Sequence, residues 1–155
     1  MNINEMILPT IESKVTLSRS GGSTGSLWLI DFENNTSFYI YCAWRIEHNN
    51  QVLATSNDDI TPILGRLTRS VKKLEGNKLI SFNINEHYDL TLYFENNYIV
   101  RVFCDISYSE TDNEGTYDTN WDFSIPNQDL VMSINNYFEI KMGKYYSSPS
   151  GYKLN

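Results

Sequence analysis

The sequence is poor in the residues that build common catalytic and metal sites. It has two histidines, His48 and His87, and two cysteines, Cys42 and Cys104, in 155 residues. Two thiols make no disulfide framework and supply only half of a zinc site. Neither the Gly-x-Ser-x-Gly nor the His-Glu-x-x-His motif occurs. We therefore expect no catalytic residue, metal or cofactor, with the histidines in polar loops and the cysteines as small inward-facing hydrophobic side chains.

Two segments resemble ligand-binding loops without matching them. The glycine-rich segment 18–26 lacks the lysine of a phosphate-binding loop and leads into a strand-like pattern, which predicts a hairpin loop. Glu110, Asp112, Glu114 and Gly115 fit the first half of a calcium-binding EF-hand loop. Trp121 stands where that loop needs its closing glutamate, and the flanks are not helical, so we expect no calcium site.

Long apolar runs and clustered basic residues are also missing. No run approaches the roughly 18 residues of a membrane span, and the first residues lack the features of a signal peptide, so a cytoplasmic location is expected. The net charge is −7, and residues 78–155 hold five Lys and Arg against eleven Asp and Glu. This balance disfavours nucleic acids and anionic membranes as partners and is compatible with a basic protein partner.

The sequence does contain a repeated phrase. Residues 32–35 read Phe-Glu-Asn-Asn, and the same four residues return 62 positions later at 94–97. Apolar residues alternate at equivalent positions around both copies: Trp28, Ile30, Phe32, Phe38, Ile40 and Cys42, and Leu90, Leu92, Phe94, Val100, Val102 and Cys104. The pattern predicts one β-hairpin per copy, with asparagine in the left-handed turn, and an internal duplication of roughly 14–46 and 78–108.

The register of these hairpins follows from the apolar rows. A two-residue loop would pair Phe32 with Ser37, which places apolar and polar side chains on the same face. Shifting by one residue pairs Phe32 with Phe38 and Ile30 with Ile40. In the second copy the same shift pairs Leu92 with Val102. We predict this second register, with an odd loop of three or five residues or with a tight turn and a bulge.

One amphipathic helix is predicted at about 61–75. Thr61 would cap it, Pro62 suits its first turn, and an apolar stripe runs through Ile63, Leu64, Leu67, Val71 and Leu74. Further strands are expected around 14–17, 26–32, 80–84, 121–124, 130–134 and 138–141. The prediction is a single α+β domain over 1–155, mostly antiparallel, with about nine strands in two hairpin units packed around the helix and a loosely held tail at 145–155.

The most charged segment carries the candidate partner-binding residues. From Asp105 to Asp122 the chain has six acidic and no basic residues, with aromatic residues between them. The segment is either a solvated hairpin loop or an acidic contact surface for a basic partner. The candidate residues are Glu110, Asp112, Glu114, Tyr117, Asp118, Trp121 and Asp122.

Several short motifs resemble a small bacterial family of unknown function. They are Cys-Ala-Trp-Arg-Ile at 42–46, Leu-Glu-Gly-Asn-Lys-Leu-Ile at 74–80, the second hairpin, and a tryptophan before Ser-Ile-Pro at 124–126. The resemblance covers roughly 26–126. Asn35 and Asn97 stand where the family has glycine, and the acidic stretch 105–122 resembles an insertion. The resemblance implies no catalytic residue. Small acidic proteins of this kind are similar to the immunity proteins encoded beside bacterial polymorphic toxins.

Three functional hypotheses follow. The first is a non-enzymatic, immunity-type inhibitor that occludes a cationic bacterial toxin through an acidic aromatic surface. The second is a ligand-binding protein or an enzyme, carboxylate-based or otherwise, with a pocket between the hairpin lobes where Arg45 meets Asp31 or Asp105. The third is a structural module that homodimerises through a sheet edge, so the chain is expected to be a monomer or a homodimer.

Overall fold

The computed structural model describes residues 2–105 and 119–145. These residues form two short α-helices, α1 (Ile3–Ile7) and α2 (Arg66–Lys72). The eleven described strands are β1 (Val15–Arg19), β2 (Trp28–Phe32), β3 (Ser37–Ile40), β4 (Ala43–His48), β5 (Gln51–Thr55), β6 (Leu79–Ile84), β7 (Leu90–Phe94), β8 (Tyr98–Phe103), β9 (Thr119–Ile125), β10 (Leu130–Asn135) and β11 (Ile140–Gly143).

The strands form two antiparallel sheets packed face to face. The six-stranded sheet has the order β1-β2-β3-β9-β10-β11, and the five-stranded sheet has the order β5-β4-β8-β7-β6. Aromatic side chains meet between the sheets: the rings of Trp28 and Trp44 are 4.5 Å apart, and those of Phe32 and Phe94 are 6.3 Å apart. The predicted α+β class, mostly antiparallel β, is confirmed.

Both predicted hairpins are present, with the predicted faces inward. Ile30 lies opposite Phe38, and Leu92 lies opposite Val100. The loop is three residues long in each hairpin, as one of the predicted solutions required. Because the loops comprise residues 33–35 and 95–97, the predicted pairings of Ile30 with Ile40 and of Leu92 with Val102 were wrong by two residues. All four residues still face the core.

The two asparagine loops end in the same left-handed conformation but differ at the middle residue, since Asn96 has a φ of 60° and Asn34 has no positive φ. Asn35 and Asn97, at equivalent positions, have φ angles of 63° and 61°. The three-residue hairpin loop needs a left-handed residue at this point, and asparagine adopts that conformation more readily than most residues other than glycine. In both copies the glutamate before the asparagines donates its amide to a lysine carbonyl: Glu33 to Lys14 at 2.9 Å and Glu95 to Lys78 at 3.0 Å.

The equivalence extends to a third strand in each unit. The pairing of β1 with β2 shifts between Val15 and Leu17, and the pairing of β6 with β7 shifts between Leu79 and Ser81. The meanders β1-β2-β3 and β6-β7-β8 therefore have the same bulge at the same place. As expected, the glycine-rich segment connects β1 to β2. The common geometry is a structural finding, and duplication as its origin remains a prediction.

The two units then exchange strands. The chain leaves the six-stranded sheet after β3, and β4 pairs with β8 of the other sheet, while β9 pairs with β3. The two contacts are equivalent: Trp44 lies opposite Val102, and Trp121 lies opposite Ile40, which is 62 residues before Val102. Strand β4, which follows the first meander, thus joins the sheet of the second, and β9, which follows the second meander, joins the sheet of the first. The alternation of apolar residues predicts that the return strand of the first hairpin continues through residues 42–46. This prediction is wrong, because β3 ends at Ile40 and β4 begins at Ala43.

The core between the sheets is built around three tryptophans. All three are fully buried, and each indole N–H has a partner: Trp28 donates to Ser18 Oγ at 2.9 Å, Trp44 to the carbonyl of Ser26 at 2.7 Å, and Trp121 to that of Tyr88 at 2.9 Å. Buried tryptophan needs such a partner because an unpaired indole N–H would lose its hydrogen bond to water. The rest of the core is aliphatic and aromatic.

The helix is shorter than predicted and begins later. Asp59, rather than Thr61, provides the side-chain cap of the preceding turn, because its carboxylate accepts the Thr61 amide at 2.9 Å. Ile63 then adopts a φ of 66°, which no helical residue has, and its side chain is 81% exposed. Leu64 is 79% exposed. The predicted stripe is therefore wrong at these two residues and correct for Leu67, Val71 and Leu74, which are buried.

The position of the helix also differs from the prediction. Helix α2 packs against β1 and β5, which are edge strands of the two sheets, so the hairpin units pack on each other rather than around the helix. Covering two edges in this way hides unpaired backbone groups. In the described part of the chain, neither helix has the length and apolar character needed to cross a membrane.

Candidate functional site

Of the seven predicted partner-binding residues, the structure describes only Trp121 and Asp122. Glu110, Asp112, Glu114, Tyr117 and Asp118 lie outside the described residues. Trp121 is fully buried, and its indole is hydrogen bonded to Tyr88, so its proposed place on an exposed surface is wrong. Trp121 lies among acidic residues in the sequence. Because side chains alternate between the two faces of a strand, however, its indole points to the inward face of β9.

Asp122 faces away from the core, on the outer side of the six-stranded sheet. It lies opposite Tyr39 and is 3% exposed, and Tyr39 is 1% exposed. Burial raises the pKa of Tyr39, and the nearby Asp31, Tyr145 and Asp122 add to the effect. Tyr145, the first residue of the predicted loose tail, is itself buried. Among the described residues, the centre of this face around Tyr39 and Asp122 is therefore covered.

Asp31 is the second carboxylate on this covered face. Burial raises its pKa above the usual value, although the Ser37 hydroxyl and Arg19 act in the opposite direction. The predicted convergence of Arg45 with Asp31 does not occur, because the two side chains lie on the outer faces of different sheets. No ion pair joins Arg45 to Asp105 within the described residues, and large core side chains fill the space between the sheets.

The equivalent face of the five-stranded sheet is open. We call it the arginine face and define it by Arg45, Glu47, Tyr93, Arg101 and Phe103. Arg45 occupies the position equivalent to Asp122, yet its side chain is 37% exposed, and Phe103 and Tyr93 are 39% and 37% exposed. Two structurally equivalent faces thus differ in both charge and accessibility.

Glu47 organises the arginine face. One of its carboxylate oxygens accepts the Nε–H of Arg45 at 2.8 Å and that of Arg101 at 2.7 Å. Partial burial raises the pKa of Glu47, but hydrogen bonds from Arg101 and Arg45 outweigh it and hold the pKa below its usual value. The two arginines lie directly opposite each other, so Glu47 offsets a repulsion between like charges and leaves one net positive charge.

Aromatic rings border the arginine pair. The Arg45 guanidinium lies 5.3 Å from the centre of the Phe103 ring, within cation–π range. The hydrogen bond to Glu47 is the main cause of a raised Arg101 pKa, and Tyr93 also contributes to it. These contacts hold both guanidinium groups in place while their outer edges remain accessible to solvent.

An open groove of 410 Å³ adjoins the arginine face. Its lining comprises Asn49, Asn50, Ile80, Tyr93, Phe94, Asn97, Tyr98 and Ile99, so Tyr93 belongs to both surfaces. His48 stacks on Tyr98 at the groove, with ring centres 4.1 Å apart. His48 is the last residue of β4 rather than a loop residue, whereas His87 lies in an exposed turn as predicted.

Asn120 clamps the two ends of the acidic segment. Its side-chain oxygen accepts the Asp105 amide at 3.0 Å, and its side-chain nitrogen donates to the Asp105 carbonyl at 3.1 Å. In the first unit Trp44 follows Cys42 by two positions, whereas Trp121 follows Cys104 by 17. The acidic segment is therefore a 15-residue insertion relative to the first unit, and it begins two residues after Phe103.

Sequence reasoning missed most of the arginine face. The period of two places Arg45 and Glu47 opposite the apolar side chains of β4, and Arg101 opposite those of β8. That signal was available, but it does not reveal that β4 and β8 are neighbours. Within the described residues, no group of three or more His, Cys, Asp or Glu is arranged to hold a metal ion.

No protein-family model, curated protein or solved structure matches this chain. The resemblance to a small bacterial family therefore remains a prediction.

Proposed function

We propose that this protein is a non-enzymatic module that binds another protein through the arginine face. The observation that carries this proposal is the exposure of Phe103 and Tyr93 beside two held arginines, on a face whose structural equivalent is covered. Aromatic residues and arginine are the side chains most often found at the energetic centre of protein interfaces.

The shape of the surface supports a macromolecular partner. The groove is open and lies along the sheet rather than between the two sheets. Pockets for small ligands, in contrast, usually enclose most of the ligand surface. Because Glu47 already holds both arginines, little side-chain entropy is lost when a partner contacts them.

The finer proposal is an immunity-type inhibitor that occludes a cationic bacterial toxin. The net charge of −7 favours the capture of a basic partner, and the inserted segment concentrates Glu110, Asp112, Glu114 and Asp118 in a short stretch. Since the insertion starts two residues after Phe103, one partner would contact both: its basic residues would face the acids of the insertion, and an apolar or acidic patch would face the arginine face, which carries one net positive charge. The acids would speed the encounter, and the aromatic residues would slow dissociation.

The first experiment tests the arginine face. The probe is the purified product of the adjacent open reading frame, with binding measured by calorimetry. Phe103→Ala should weaken binding by about tenfold or more, equivalent to about 1.4 kcal/mol. Ile140→Ala is a matched control, because Ile140 is 38% exposed but lies on β11 of the other sheet. Equal affinities for the two variants and the parent would remove the arginine face from the interface.

The second experiment tests the acidic insertion. Converting Glu110, Asp112, Glu114 and Asp118 to their amides should lower the association rate and flatten its dependence on salt. The control converts four exposed acids elsewhere, Glu12, Glu33, Glu86 and Glu139, which changes the net charge equally. If both sets lower the rate alike, only total charge matters. Lysozyme, a basic protein, serves as the probe for non-specific attraction.

A further inference from the structure

We propose that Cys42 and Cys104 form a reversible disulfide when the folded protein meets a small-molecule disulfide such as oxidised glutathione. The proposal is independent of the binding function. It rests on the pairing of β4 with β8 and on the hydrogen bonds around the two thiols.

The two cysteines lie one residue beyond the end of the β4–β8 ladder, on neighbouring segments of the chain. Ala43 pairs with Phe103 at the end of the β4–β8 ladder, and Cys42 and Cys104 are the next residue on each side. Opposite residues in antiparallel pairs have Cα atoms roughly 4.5–5.5 Å apart, which lies within the range that a disulfide spans. The cysteines also occupy equivalent positions in the two units.

The backbone around the pair favours the closer type of pairing. The Cys42 amide donates to the Asn120 carbonyl at 3.0 Å, and the Cys104 amide donates to the Asp89 carboxylate at 2.7 Å. The cysteines therefore do not exchange backbone hydrogen bonds, and non-hydrogen-bonded pairs bring their side chains closest. Both cysteines are free and partly exposed.

The two thiols already interact. The Cys104 thiol donates to the Tyr88 carbonyl at 3.2 Å. A hydrogen bond to Cys104 raises the pKa of Cys42, and burial raises it further. The attacking species is a thiolate, and either cysteine can make the first attack because the products are the same.

The reaction balances with the named oxidant. In one order, the Cys104 thiolate attacks one sulfur of oxidised glutathione, which forms a mixed disulfide and releases one reduced glutathione. The Cys42 thiolate then attacks the Cys104 sulfur and releases the second. Two electrons pass from the cysteines to the oxidant, and excess reduced glutathione reverses both steps.

The bond would tie together two crossovers of the fold. Cys42 lies between β3 and β4, where the chain changes sheets, and Cys104 lies between β8 and the acidic insertion. A disulfide here closes a ring that spans the whole 62-residue repeat, and such long rings constrain the unfolded chain strongly. Oxidation should therefore raise the melting temperature, and reduction should restore the original value.

The test incubates the full native chain with oxidised glutathione under mildly alkaline conditions. Thiols titratable after denaturation should fall from two to none, and the intact mass should fall by two hydrogens. Peptide mapping should link Cys42 to Cys104. Cys42→Ala should instead hold one glutathione on Cys104, which a purely structural thiol would not do. The parent should also close its disulfide faster when folded than in concentrated urea.

Three results would overturn the proposal. They are two unreacted thiols, two stable mixed disulfides on one chain, or a closure rate that is no higher in the folded protein than in urea.

Discussion

Replacement of Asn120 by alanine should destabilise the protein by about 2–4 kcal/mol. The Asn120 side chain is almost fully buried and makes three hydrogen bonds, two to the backbone of Asp105 and one to the Asn135 carbonyl at 3.1 Å. Each such bond contributes about 0.5–1.5 kcal/mol net, and leaving its partner unpaired inside the protein costs at least as much. The equivalent residue of the first unit is Ala43, where no insertion has to be closed.

Urea denaturation provides the measurement. The transition midpoint should fall while the slope of the transition stays unchanged, and the melting temperature should fall by about 5–15 °C. Asn83→Ala is the control, because Asn83 lies exposed on β6 and its loss should change stability by less than about 0.5 kcal/mol. A loss below about 1 kcal/mol for Asn120→Ala would refute the clamp, since the three bonds would then contribute almost nothing.

Three further predictions concern the helix and the covered face. Leu67→Ala should cost about 2–4 kcal/mol in urea denaturation, whereas Leu64→Ala should cost less than about 0.5 kcal/mol; similar losses would support the longer helix. Ile63→Gly should stabilise the protein by about 0.5–1 kcal/mol, because it relieves a left-handed backbone at a branched residue, and a lower urea midpoint would contradict this. Because burial raises the pKa of Asp31 in the fold, its ionisation reduces stability as pH rises from the unfolded to the folded pKa. Asp31→Asn should therefore gain stability relative to the parent as the pH rises above about 4, the usual pKa of Asp, measured as urea midpoints. A difference that stays constant with pH would argue against a raised pKa.

The alternation of apolar residues was enough to predict most strands and their inward faces. Where prediction failed, a local contact was responsible. The predicted strand pairing was wrong by two residues because the hairpin loop comprises residues 33–35. The helix begins later than predicted because the Asp59 carboxylate accepts a hydrogen bond from the Thr61 amide. Gly65 then allows the chain to pass close to Asp59, where any larger residue would clash with its carbonyl oxygen. Such contacts depend on coordinates that a periodic pattern does not contain.

The break between β3 and β4 shows a deeper limit. Apolar side chains alternate without interruption from Phe38 through Cys42 to Ile46, which suggests one long strand. The chain nevertheless changes sheets at Tyr41 and Cys42, whose amides both donate to the Asn120 carbonyl. Both sheets face the same core, so a strand that crosses from one to the other keeps its inward row. Alternation therefore cannot report the exchange.

The sequence by itself determined an antiparallel β protein with two equivalent hairpins, because side-chain burial with a period of two is a local property of the chain. Only the tertiary structure decided which strands became neighbours, and hence that Arg45 and Arg101 share Glu47 on an open face while the equivalent Asp122 is covered. Neighbouring strands and coverage are set by packing between distant segments. The physical reason is that a pattern of hydrophobicity specifies which side of a strand faces the core. It does not specify which strand lies beside it or which residues cover its other side.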